Sequence, residues 1–133
     1  KNKDCVSCHS PHGSYYWRIL VRYYPQDFYT PYSDGKYGLC FGCHSSSAFT
    51  ERKTTKATAF RDGDRNLHAL HVNMVGKGRT CRACHDEHAD KNLPKHVKET
   101  INFGGWKMPI QFVPAPNGGS CAPGCHAEKR YKR

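Results

Sequence analysis

Four times along this chain, two cysteines separated by two or three residues are followed at once by a histidine. The instances are Cys5-Val6-Ser7-Cys8-His9, Cys40-Phe41-Gly42-Cys43-His44, Cys81-Arg82-Ala83-Cys84-His85 and Cys121-Ala122-Pro123-Gly124-Cys125-His126. Together they use all eight cysteines. C-x-x-C-H is the attachment site of c-type haem: two thioether bonds fix the porphyrin and the next residue, histidine, reaches the iron. A chain built this way has little freedom to fold without its prosthetic groups. The expected cofactors are four covalent c-type haems (haem c, iron). Their thioether residues are Cys5, Cys8, Cys40, Cys43, Cys81, Cys84, Cys121 and Cys125, and their proximal iron ligands are His9, His44, His85 and His126.

Other uses of eight cysteines explain less. A disulfide framework does not require a histidine after every second cysteine. Zinc sites combine two C-x-x-C pairs and leave the adjoining histidines without a role. Thioredoxin-like redox pairs occur once per domain in a βαβ context that is absent here. The fourth motif carries one extra residue, and Ala122-Pro123-Gly124 reads as a turn that bulges outward and keeps both sulfurs on one porphyrin edge.

Composition agrees with a haem-organised chain. Of 133 residues only 37% are hydrophobic, with twelve glycines and eight prolines, and the mean hydropathy is −0.82. Such a chain builds a poor core unaided, whereas four large apolar discs can serve as one. The expected fold is therefore mostly irregular coil with short α-helices and little β, organised around the haems as a small tetrahaem cytochrome c. One domain, 1–133, is expected. The formal charge of +10 invites a nucleic-acid partner. Each ferric haem with its two propionates adds about −1, so four take the net charge to about +6, and reduction takes it to about +2. Lysines and arginines are then propionate partners and solvating surface, and no nucleic-acid partner is expected. No apolar run is long enough to span a membrane. The chain opens at Lys1 without a signal peptide and reads as a mature exported polypeptide, placed outside the cytoplasm where such haems are attached.

The sequence is doubled. Cys5, Cys8, His9 and His12 recur as Cys81, Cys84, His85 and His88, each offset by 76, and each set is followed by a second motif. Two tandem haem-pair units, about 1–44 and 81–126, are thus joined by a segment carrying further histidines. An aromatic tract from Ser14 to Phe41 holds Tyr15, Tyr16, Trp17, Tyr23, Tyr24, Phe28, Tyr29, Tyr32, Tyr37 and Phe41, suited to packing on haem faces. Within it Ile19-Leu20-Val21 reads as a short strand or extended segment. Glu51 to Phe60 reads as helix or loop, and Asn66 to Asn73 as a short helix. The glycines and prolines between Pro94 and Gly119 read as extended and irregular.

Five histidines remain for four distal positions: His12, His68, His71, His88 and His96. His12 and His88 each follow a proximal histidine by three residues and cannot reach round to the far face of the same porphyrin. Each is expected to serve another haem. His68 and His71 emerge on one side of a helix, so they are expected to bind two different irons. His96 belongs to no repeated element and is the expected spare. Met74 and Met108 read as core filler.

With C-H-S-P-H-G at 8–13, L-C-F-G-C-H at 39–44, L-H-A-L-H-V at 67–72, C-R-A-C-H-D-E-H at 81–88 and G-G-S-C-A-P-G-C-H at 118–126, the chain resembles multihaem cytochromes c of the doubled C-x-x-C-H type. Within that type it is most similar to the small tetrahaem cytochromes that polymerise into extracellular nanowires. The resemblance implies bis-histidine irons throughout and His12 lent to a haem of the adjacent subunit. It implies a head-to-tail homopolymer, extracellular or on the cell surface, conducting electrons to other redox proteins or extracellular acceptors. The alternative is a soluble periplasmic shuttle between respiratory reductases. No enzymatic activity is expected, since saturated irons leave no open site.

Overall fold

The computed structural model describes residues 4–133. The attachment motifs lie on short helical turns or at a strand end. Single 3₁₀ turns cover Cys5–Ser7 and Cys81–Ala83, α1 spans Gly38–Phe41, and α2 spans Ser47–Thr50. The longest helix, α3, covers Leu67–Val72, inside the expected Asn66–Asn73 segment. Asn66 caps it by accepting a hydrogen bond from the Ala69 N–H, satisfying one of the donors that a helix start leaves orphaned. The same side chain donates to the Ala48 and Glu51 carbonyls at 3.0 and 2.7 Å, tying α3 to the end of α2. Asn66 is accordingly almost fully buried.

The expectation of mostly coil with little β is wrong. Seven short strands form three antiparallel sheets. Strand β1 (Arg61–Asp62) pairs with β2 (Arg65–Asn66), and β3 (Thr100–Phe103) pairs with β4 (Trp106–Pro109). Strands β5 (Phe112–Ala115), β6 (Gly118–Cys121) and β7 (Lys129–Lys132) make the third sheet in that order. The glycines and prolines taken as breakers are the hairpin turns and close contacts of these sheets. Gly63 and Gly104, at φ +56° and +58°, open two-residue turns of the left-handed kind that match strand twist. Pro116-Asn117 closes β5 on β6, and Pro114 sits on the outer strand, where a missing N–H is tolerated. A Cβ on Gly118 would collide with the Tyr131 carbonyl, so β7 can lie against β6 only because a glycine is there. Glu51 to Phe60 forms bends rather than a helix, with one bridge from Lys53 to Arg65.

Ile19-Leu20-Val21 is only partly extended. Arg18 and Ile19 lie in the left-handed region at φ +54° and +52°, and Leu20 then bridges back to His9. Lys95 and His96 do the same at +56° and +55°, and Val97 bridges to His85. Each such non-glycine residue costs about 1–2 kcal/mol.

The protein core is thin. Leu20, Tyr24 and Tyr37 form one buried cluster, and Ile101, Met108 and Ile110 form another. The aromatic tract supplies the first cluster: Tyr32 stacks on Tyr37 with centroids 6.0 Å apart, and Phe41 leans against both. The two sequence repeats are joined here. Thr30 N–H donates to the Gly78 carbonyl and Thr80 N–H to that of Phe28, while the buried Tyr24 hydroxyl accepts from Arg82 N–H at 2.8 Å. Among the described residues no helix is long and apolar enough to cross a membrane.

Candidate haem sites

Each of the first three motifs is wound into one turn by the same hydrogen bond. The N–H groups of His9, His44 and His85 donate to the carbonyls of Cys5, Cys40 and Cys81, each at 2.9 Å. That turn brings the two sulfurs and the imidazole of a motif to one side of the backbone. In the fourth motif the extra residue shifts the pattern, and His126 N–H donates instead to Pro123 at 3.2 Å. The insert is held in place: Ala122 and Gly124 N–H donate to the Gln111 and Pro109 carbonyls. A Cβ on Gly124 would run into the Trp106 indole and Met108. The bulge is therefore a docked turn, not a loose one. None of the eight cysteines forms a disulfide.

The attachment sulfurs of different motifs approach one another. Cys8, Cys40 and Cys81 all pack against the Leu20–Tyr24–Tyr37 cluster. The Cys40 thiol hydrogen-bonds to the Cys81 sulfur, which keeps Cys40 protonated well above the usual thiol range. Burial pushes the Cys84 thiol up to about 11, with Cys121 and Cys125 close enough to contribute. The first three sites thus meet at one cluster, and the third adjoins the fourth.

Two pairs of imidazoles approach each other in the wall of a cavity of about 660 Å³ whose lining is mostly apolar. His68 and His85 have ring centroids 6.2 Å apart, and His71 and His126 are 6.5 Å apart. An imidazole nitrogen bonds a transition metal at about 2.0 Å and lies about 1.1 Å from its ring centre, so two imidazoles on opposite sides of one metal have centroids about 6.2 Å apart. Helix α3 thus supplies one partner to each pair, His68 from its first turn and His71 from its last.

The second ring nitrogens are engaged elsewhere. His68 Nδ1 is 2.8 Å from the Thr58 hydroxyl, and His71 Nδ1–H donates to the Leu67 carbonyl at 2.7 Å. His85 and His126 Nδ1–H donate to the Lys95 and Ala127 carbonyls, and His9 Nδ1–H to that of Arg18 at 2.9 Å. A carbonyl can only accept, so these rings carry the proton on Nδ1 and present Nε2 as a free donor for a metal. Burial, reinforced by His85 and His71, lowers His68 to about 4. Burial likewise lowers His71 and His85. All three are neutral at pH 7, the form that ligates. Phe49 and Phe60 wall the distal rings at 5.1–5.7 Å.

The donor set fits a metalloporphyrin: paired sulfurs beside an imidazole, a second imidazole opposite, and an apolar gap between. It does not fit a bare ion, for among the described residues no group of three or more His, Cys, Asp or Glu side chains gathers at one point. His12, His44, His88 and His96 are exposed and His9 is half-buried. Among the described residues neither His9 nor His44 has a second histidine ring facing it. The Arg18 and Lys95 carbonyls, Thr58 and the Phe49–Phe60 walls went unforeseen. Backbone acceptors leave no residue-type signal, although both carbonyls lie ten residues or fewer past their histidines.

Residues 1–49 match the family model for the doubled CXXCH motif. The chain carries a doubled CXXCH motif. That indicates covalently bound c-type haem, and it is consistent with a multihaem c-type cytochrome acting in electron transfer. No curated protein and no solved structure matches the chain.

Proposed function

We propose that the chain holds four haems, one at each motif, and conducts electrons as the repeating subunit of an extracellular filament. Bound haem supplies a reversible one-electron couple at iron. The chain's own residues do the rest. Cysteine pairs Cys5/Cys8, Cys40/Cys43, Cys81/Cys84 and Cys121/Cys125 anchor the groups, and His9, His44, His85 and His126 are the proximal ligands. His68 faces His85 and His71 faces His126, so they are the distal ligands of the third and fourth sites. His88 and the adjacent subunit's His12 complete the first two, with His96 the spare. With two histidines held for each iron, a bound haem would keep no open position for a substrate, so electron transfer rather than catalysis is the chemistry it would supply.

The observation that carries the filament reading is an incomplete set. In-chain imidazoles face only two of the four proximal histidines, while His12 stands exposed beside the first motif. Within nine residues of it in the sequence, Val6, Tyr15, Tyr16, Ile19 and Val21 are exposed apolar side chains. A patch of that kind favours association, and a head-to-tail contact that does not close on itself grows into a fibre. The partners are then other copies of the chain and, at the fibre ends, redox proteins or extracellular acceptors. Electron microscopy of the matured protein and of His12→Ala tests this. The unmutated protein should form filaments, and the variant should retain four haems, gain one vacant distal site and assemble poorly. A matured protein that stays monomeric with every iron six-coordinate would instead be a periplasmic shuttle.

A further inference from the structure

The duplication visible in the sequence continues, in the structure, past the histidine at which the matching residues stop. Gly13 and Ala89, 76 apart, both have left-handed backbones, and their N–H groups donate to the Ser10 and Asp86 carbonyls. Beyond them the offset becomes 77, and two segments without sequence likeness take the same shape. Trp17–Ile19 and Pro94–His96 each form one 3₁₀-like turn with a left-handed residue inside. Arg18, Ile19, Lys95 and His96 are four of the six left-handed non-glycine residues among those described. Each turn folds back over its motif through matched bonds. Ser10 N–H donates to Ile19 and Asp86 N–H to His96, both at 2.7 Å; Val21 N–H donates to Cys8 and Lys98 N–H to Cys84, at 2.9 and 2.8 Å. The outcome in both repeats is one carbonyl, Arg18 in the first and Lys95 in the second, set against the proximal imidazole Nδ1.

Both turns are braced from outside. The Arg18 and Arg82 guanidinium groups both pack on the Trp17 ring, 4.5 and 4.9 Å from its centroid. Lys98 is tied to Glu87 at 2.8 Å and to the Arg82 carbonyl at 3.2 Å. Strained backbone that occurs twice, at the same place and with the same acceptor, has a shared job. His44 sits in no such turn, and His126 bonds the carbonyl of its own neighbour, Ala127.

We propose that Trp17–Ile19 and Pro94–His96 are positioning clips that fix the tautomer, orientation and donor strength of His9 and His85, making the first and third haem sites electronically alike and setting them apart from the second. This rests on the reading of His9 and His85 as iron ligands. His96 takes the place of Ile19 in the second clip, which gives it a backbone role: its carbonyl accepts from Asp86 while its own Nδ1–H donates to the Asp90 carbonyl. A carbonyl drawing on Nδ1–H makes the imidazole a stronger donor, which favours ferric iron and lowers the potential.

The test uses the matured protein, Arg18→Pro and Lys95→Pro, with Arg18→Gly and Lys95→Gly as controls. Proline cannot adopt φ near +55°, so it breaks the clip, whereas glycine adopts it freely. In each proline variant one of four reduction steps should move to higher potential, by about tenfold in that step's equilibrium constant, and one low-spin ferric resonance signal should change. Lys95→Gly should match the parent, and Arg18→Gly, which keeps the turn but loses the contact with Trp17, should shift less than Arg18→Pro. Four attached haems with no displaced step in either proline variant would overturn the clips, as would glycine variants that shift equally. Loss of the bis-histidine spectrum in the parent itself would instead remove the ligand reading beneath. For a proline variant that does not mature, the parent carries the test. With ¹⁵N-histidine in the reduced protein, His9 and His85 Nδ1–H should exchange slowly and His44 Nδ1–H quickly, and equal rates for all three would contradict the clips.

Discussion

At the scale of single residues, the pairing of His68 with His85 and of His71 with His126 makes separable predictions. His68→Ala should open one iron, seen as one equivalent of carbon monoxide bound per chain, and leave the His71 site closed. His71→Ala should do the same at the fourth site. Two opened irons from either change would mean that the helix supports both sites without the division its ring geometry implies. Tyr24 makes a different point. Its buried hydroxyl is the acceptor for Arg82 N–H, so Tyr24→Phe strands that donor and should cost about 1–3 kcal/mol, measured by denaturant unfolding of the matured protein. The spacing Leu67-His68-Ala69-Leu70-His71 is enough to place two imidazoles on one helical face, because i and i+3 positions on a helix are neighbours whatever surrounds them. Which proximal partner each would meet depends on how α3 lies against residues 81–126, and that is decided by packing 10 to 55 residues away.

Among elements, the sheets escaped the sequence for a physical reason. Gly104-Gly105, Pro116 and Gly118-Gly119 break regular structure when read alone. In place, the first pair turns β3 into β4, and the last pair makes room for β7. Gly118→Val should therefore part β7 from β6 by driving a side chain into the Tyr131 carbonyl. Tyr131 packs on Phe60, whose ring stacks on His71, so the damage should reach the fourth site and weaken its distal bond. The measurement is carbon monoxide binding, and binding at that site alone is expected. The opposite case is α3, which was legible as a short helix within Asn66 to Asn73 from the spacing of its leucines and histidines; the Asn66 cap is a finding of the structure. Its further bonds to Ala48 and Glu51 were not legible either, because they join segments fifteen and eighteen residues apart.

For the whole molecule, nine buried apolar side chains among the described residues make a small core for 133 residues. An apolar cavity lies beside them, lined by two complete sets of attachment residues. The arrangement makes sense if prosthetic groups complete the interior, which composition alone did not reveal when it suggested mostly coil. The formal charge is +10. With the four haems proposed above it would fall to about +6 when ferric and about +2 when ferrous, so reduction should visibly slow migration toward the cathode in a native gel, and unchanged mobility would contradict that number of redox centres. The most direct measurement is the intact mass of the matured chain. Four haem masses added to the polypeptide are expected, with every cysteine consumed. Three haem masses with a Cys121–Cys125 disulfide would contradict the account at the motif whose extra residue Gly124 tucks beneath Trp106.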